Sequence, residues 1–414
     1  MKEMKLLETI LDEMSNVSKS QKKFFIILIK TMISIYGKVN FRSLNRYSGL
    51  AEKTFRRWFK KSFDFAEFNS IAIDKVITPE DEVVAAFDQS FESKSGKDTW
   101  GKDYFWNGCA SRAEKGLELG LCAIIDVRKN TAYALAAEQT PATDRPKDKK
   151  TAKKIDDFTR MDIYLGSIEK LRLKILKYTK YFAFDGYFGK KKFVDGVVEM
   201  GFHFIGKLRC DANLKILYTG EQKKSRGRPK KFAGKCNLDE LQGFAFEGDV
   251  DDKIKLYSGT FHHVSLAQKI KVVAVRYTLK DKVGTALIFS TDLNLDTFKI
   301  FRYYKARFQI EFIFRDAKQH TGLGDCQSRN KESIIFHFNA SFAALNLVKI
   351  QDQLDRTEHE KNMPFSMASY KARYHNESLI DRFFSKLAPG VTLEKSSSIF
   401  QEVLNYGVII FRWG

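Results

Sequence analysis

The stretch from Arg302 to His320, RYYKARFQIEFIFRDAKQH, constrains this chain more than any other, because it sets Arg307, Glu311 and Lys318 three, seven and fourteen residues after Tyr304. At roughly 100° per residue, one continuous helix would hold all four within about a 60° wedge, with Tyr304 about 21 Å along the axis from Lys318. The flanks are apolar: Phe301, Phe308, Ile310, Phe312, Ile313 and Phe314. A polar stripe on such a helix requires either buried counter-charges or a ligand, and a polyanion accompanied by a metal ion meets that need. Taken alone, Arg307 and Glu311 also make an ordinary intrahelical ion pair.

Two aspartates extend the stripe into a constellation. EVVAAFDQSF and YFAFDGYFG set Asp88 and Asp185 each at the carboxyl end of a predicted strand, where α/β folds place ligands. An aspartate just past a strand also serves as a turn or N-cap residue. Asp88, Asp185 and Glu311 are separated by 97 and 126 residues, so only the tertiary fold can unite them. Three carboxylates together demand cations. Oxygen-only ligands suit Mg²⁺ or Mn²⁺, and two such ions about 3.5–4 Å apart activate an attacking oxygen and stabilise a leaving one.

The charge balance names the partner. With 71 Lys and Arg against 51 Asp and Glu, the net charge of +20 calls for a polyanion, either nucleic acid or an anionic membrane. The most apolar run, FFIILIKTMISIYG from Phe24, carries Lys30 and is too short to span a bilayer. MKEMKLLETILDEMS lacks the apolar core of a signal peptide. No membrane partner is therefore expected. Five cysteines without a CxxC pair read as reduced thiols of the cytoplasm. Adjacent His262 and His263 point to opposite faces of a strand, and His203, His320 and His337 lack metal-ligand spacing. No glycine-rich loop leads into Lys-Ser or Lys-Thr, so no nucleotide cofactor is expected. By elimination, nucleic acid is the expected partner.

Residues 1–75 look helical and basic. FRSLNRYSGLAEKTFRRWFKK has the form of a helix-turn-helix, with Phe41, Leu44 and Tyr47 on the first helix, Gly49 in the turn, and Phe55, Trp58 and Phe59 on one face of the second. Lys53, Arg56, Arg57, Lys60 and Lys61 remain to face a DNA groove, unless the pair is an ordinary hairpin with a solvated basic face. Residues 76–206 read as the first part of an α/β core, 207–295 as a β-rich insertion, 296–350 as the rest of the core, and 351–414 as a helical region suited to subunit contact. Within the insertion, Arg226 and Arg228 of SRGRPKK resemble an AT-hook, whose extended core fits a narrow A·T minor groove; phosphate contact is the simpler role.

Tyr304, Arg307, Glu311 and Lys318, with AFDQS ahead of KSGKDTWG and with FAFDGYFGKKKF, resemble the DDE transposases of bacterial insertion sequences, in the branch with a Tyr-x₂-Arg-x₃-Glu-x₆-Lys signature. The resemblance covers roughly residues 80 to 350. It implies an α/β catalytic core of ribonuclease H-like fold, a mixed five-stranded sheet with flanking helices and a β-rich insertion before the glutamate. It implies that Asp88 bridges two metal ions, that Asp185 and Glu311 each complete one ion's shell, and that Tyr304, Arg307 and Lys318 hold transposon-end phosphates. Lys318 would lie about 10 Å along the helix from Glu311, too far to share its metal, so it should grip a different phosphate. Some members stack a flipped base on an aromatic of the insertion; Trp58, Trp100, Trp106 and Trp413 all lie outside it, leaving Tyr257 or Phe261. The activity the resemblance implies is cut-and-paste transposition on double-stranded DNA in a bacterial cytoplasm, associated with the nucleoid: metal-dependent cleavage at element ends, then attack of the freed 3′-OH on target DNA, by a homodimer in the DNA complex. The rivals are a metal-dependent nuclease without strand transfer and a catalytically inactive, transposase-derived repressor.

Overall fold

The computed structural model describes residues 2–142, 159–222, 228–279, 282–357, 360, 363–387 and 397–408. Five helices come first: α1 (Lys2–Glu13), α2 (Lys19–Ser34), α3 (Phe41–Ser48), α4 (Glu52–Trp58) and α5 (Phe65–Ile73). Local chemistry sets their ends. The side chains of Ser18, Asn40 and Asp64 accept the backbone N–H of Gln21, Ser43 and Glu67 and so start α2, α3 and α5. Gly49 ends α3 at φ +77, a left-handed conformation that costs glycine little.

Strands β1 (Val83–Ser93), β2 (Asp103–Asn107), β3 (Arg112–Asp126) and β4 (Thr131–Gln139) follow, then α6 (Arg160–Leu176), β5 (Tyr181–Ala183), α7 (Lys191–Glu199) and β6 (His203–Leu208). Next come β7 (Leu214–Leu217), β8 (Phe232–Lys235), β9 (Ala245–Asp251), β10 (Ile254–His263), β11 (Gln268–Leu279) and β12 (Lys282–Ser290). Helices α8 (Thr297–Ala306), α9 (Gln309–Asp316), α10 (Lys331–Asp355), α11 (Met367–Leu387) and α12 (Ser398–Leu404) close the described chain.

The protein is a mixed α/β structure whose strands form a single 12-stranded sheet flanked by helices. Along it run β4, β3, β1, β5, β6, β12, β11, β10, β7 and β8, with β2 also on β3 and β9 on β10. β1, β5 and β6 are parallel, whereas β3 is antiparallel to β1. Five strands were expected to complete the sheet, but it does not stop at β6. β12 pairs with β6 from Leu287↔Leu208 to Ser290↔Ile205, so the insertion continues the core sheet. The reason is physical: an open β6 edge would leave a row of unpaired backbone groups.

At the other flank, α10 performs that sealing with side chains. Asn339 exchanges hydrogen bonds with Ala137 N and O at 2.9 and 2.8 Å, and Asn346 with Ala134 N and O at 3.0 and 2.7 Å. Lys349 adds its ammonium to Ala132 O at 2.6 Å. These three residues, spaced seven and three apart on an otherwise apolar helix, satisfy the free edge of β4. Among the described residues α10 is the one helix long and apolar enough to cross a membrane, and it is buried as the central core helix.

One hydrophobic cluster extends from Leu7 to Tyr374. The N-terminal helices belong to it. Phe59, just after α4, lies 4.6 Å from Phe336 of α10 (ring centroids), and Trp58 stacks on Phe24 of α2 at 5.2 Å. On α5, Asn69 donates to Leu135 O and accepts from Asn346. The basic face of α4 is therefore held rigidly against the same helix that seals β4.

Candidate active site

Sheet register brings the two aspartates together. The last parallel pair between β1 and β5 is Ala86↔Ala183. Asp88 and Asp185 each lie two residues beyond that pair, so they stand level, on the same face of adjoining strands. Asp88 does not end its strand, contrary to expectation: β1 runs on to Ser93 because β3 keeps pairing with it through Ser93↔Gly116. Only the β5 side opens, and Asp88 sits where it does. Asp185 follows its strand as expected and also starts the short turn Gly186–Phe188, its carboxylate accepting the Gly186 N–H.

The third carboxylate arrives on a broken helix. One continuous helix was expected from Tyr304 to Lys318; the chain instead divides into α8 and α9. Around Arg307 the hydrogen bonds tighten to the three-residue spacing, Phe308 N to Lys305 O, Ile310 N to Arg307 O and Glu311 N to Phe308 O. After α9, residues Ala317–Thr321 loosen into a π-turn capped by Gly322 at φ +74. Such interruptions reorient side chains without ending the run. Here they let Arg307 turn inward while Phe308 becomes exposed.

Arg307 ties the site together. Its Nη1 lies 3.5 Å from Asp88 Oδ2 and its Nη2 3.2 Å from Glu311 Oε1, while the guanidinium carbon sits 5.8 Å from the centre of the Tyr304 ring. The intrahelical pair with Glu311 thus exists, but within a larger network. Burial opposes the Arg307 charge, and Asp88, Tyr304, Asp185 and Glu311 overcome that cost and hold the group protonated above its ordinary value. Burial pushes the Asp88 carboxyl up to about 7 against the pull of Arg307 and the Gln89 N–H; the charges of Asp185 and Glu311 push it the same way. The Tyr304 phenol is raised by burial, with Arg307 opposing and Asp185 and Glu311 adding. All five side chains therefore share one electrostatic neighbourhood. One buried polar atom in it, Arg307 Nε, has no hydrogen-bond partner among the described residues.

Lys318 lies apart, as the axial spacing implied, but it is engaged. Its ammonium reaches Glu92 Oε1 at 2.8 Å and Phe91 O at 3.0 Å. Sequence reasoning missed Glu92 because its partner is 226 residues away. Lys53, Arg56, Arg57 and Lys60 are exposed on or beside α4, where Arg56 pairs with Glu52. Arg228 is exposed, whereas Arg226 lies outside the described residues. In the insertion Phe261 is buried, and Tyr257 packs on Phe246 with ring centroids 5.3 Å apart.

Among the described residues no group of three His, Cys, Asp or Glu is drawn close enough to cage an ion, because Arg307 stands between Asp88 and Glu311. The donor chemistry nonetheless fits a hard divalent cation. Three carboxylates are electrostatically coupled around Arg307, and the most buried of them is costly to keep charged.

Residues 149–347 match the family model of the transposase DDE domain. The chain carries a DDE transposase domain. Transposase domains of this kind act on DNA and generally use divalent metal ions. The matched segment includes Asp185 and the Tyr304–Lys318 run but begins after Asp88, which the contact with Arg307 sets beside them. No curated protein matches the chain.

Proposed function

We propose that this transposase catalyses cut-and-paste transposition, with Asp88, Asp185 and Glu311 as catalytic carboxylates on a ribonuclease H-like core. The observation that carries the reading is the level placement of Asp88 and Asp185 beside the Arg307–Glu311 pair. Asp88, Asp185 and Glu311 would hold the Mg²⁺ or Mn²⁺ ions. When bound, such ions supply charge for the attacking and leaving oxygens of an in-line phosphoryl transfer.

The chain's own residues do the positioning. Arg307, protonated and buried, offers its unpartnered Nε–H to a phosphate oxygen and offsets charge developing there. Tyr304 flanks that guanidinium and limits where the phosphate can sit. Lys318 holds a second phosphate farther along the strand, in competition with Glu92. The complete Tyr304, Arg307, Glu311 and Lys318 set supports membership of the branch that carries this signature. Residues 1–75 and 351–414 would supply end binding and subunit contact in a homodimer, since both element ends must be handled together.

Incubation with DNA carrying the element ends, Mg²⁺ and a target plasmid tests the reading. Joined products are expected. Cleavage without joining would replace the transposase by a nuclease, and binding alone would leave a repressor.

A further inference from the structure

Just past the end of β1 lies a cleft of about 370 Å³, lined by Lys38, Lys94, Gly96, Asp325 and Arg329 among others. A second cleft of about 340 Å³ adjoins it under Arg56 and Lys60, and the two share Gln327 and Arg329. Together they reach from the basic face of α4 to Lys94, which stands six residues, or about 20 Å along the extended run of β1, beyond Asp88. The lining is strongly cationic. Lys38, Lys60 and Arg329 are exposed and form no salt bridge among the described residues, while the one carboxylate in these clefts, Asp325, is tied to the Val39 N–H at 2.7 Å. Lys94 is half-buried with its ammonium on Cys326 O. Gly96, at φ +97, forms part of the wall, where an added Cβ would stand 3.3 Å from Thr99 Oγ1.

Exposed cations without counter-charges along a continuous groove call for a chain of anions. We propose that the two clefts form one track for the phosphodiester backbone of DNA, with Lys38, Lys94 and Arg329 carrying a strand from α4 to the Asp88 carboxylate. This rests on the reading that the chain cuts DNA at that site. It adds a consequence: α4 is locked to α10 through Phe59 and Phe336, so the distance from the sequence α4 contacts to the cut phosphate is set by the fold.

Binding is measured without turnover, in the Glu311→Gln chain, to an end-bearing duplex over a range of salt concentrations. Lys38→Ala with Arg329→Ala changes two exposed side chains, so the melting temperature should hold. The pair should lower the slope of log affinity against log salt by about two and weaken binding about tenfold or more at low salt. An unchanged slope and affinity would remove these clefts from the DNA path while leaving the catalytic reading intact. Failure of the unsubstituted Glu311→Gln chain to bind any DNA would overturn that reading, and the track with it.

Discussion

The two flanks of β1 treat buried polar groups in opposite ways. On the β3–β4 side Asn339, Asn346 and Lys349 of α10 hydrogen-bond to the backbone of β4 and close the sheet edge. On the β5 side pairing stops at Ala86, and Arg307 is left among carboxylates with Nε unpartnered. Each buried group without a partner costs about 1–3 kcal/mol. A fold that closes one edge with side chains leaves Arg307 Nε unpartnered at the other, and under the proposed function a ligand's charge offsets that cost. On the proposed function, the contrast separates residues that hold the structure from residues that serve the reaction.

Substitutions can break the contrast, beginning with the largest effect. Arg307→Ala should slow DNA cleavage by about 10²–10³-fold, measured as single-turnover rate on end-bearing DNA. Loss of DNA binding in step with rate would instead make Arg307 a simple anchor. Asn346→Leu should cost about 3 kcal/mol in denaturant unfolding, because Ala134 N and O and Asn69 all lose a partner. Its folded fraction should cleave normally.

Lys349 sharpens the comparison through pH. Burial lowers its ammonium from 10.5 to about 8, so between those values the unfolded chain binds more protons than the folded one and stability rises with pH. Wild type should therefore gain up to about 1.4 kcal/mol per pH unit over Lys349→Met in that window. A parallel pair of profiles would mean Lys349 keeps its charge in the fold. The smallest effect is expected at Glu92→Gln, which frees Lys318 from its ion pair and should raise DNA affinity about two- to threefold at low salt. A fall would show that Lys318 needs Glu92 to be positioned.

Much of the site was legible in the chain. The spacing from Tyr304 to Glu311 keeps Tyr304, Arg307 and Glu311 together even across the break between α8 and α9, and apolar runs leading into Asp88 and Asp185 mark strands that approach a common point. What escaped reading is non-local. Nothing near Asp88 says that β3 will hold β1 in register to Ser93, nor near Ser290 that β12 will pair with Ile205. The break at Arg307 escaped because every residue around it suits a helix; tertiary pull from Asp88 accompanies the tightened turn. The α4 face was recognised as basic, but its docking on α10 depends on rings almost 280 residues apart.

The central claim is that Asp88, Asp185 and Glu311 work as one phosphoryl-transfer centre. Cleavage of end-bearing DNA in Mg²⁺ by Asp88→Asn, Asp185→Asn, Glu311→Gln and their pairs tests it most directly. Each single variant should lose at least about 10²-fold in rate, with the pairs scarcely worse than the singles, as expected of residues acting as a unit. A variant that folds and cuts at the wild-type rate would contradict the account.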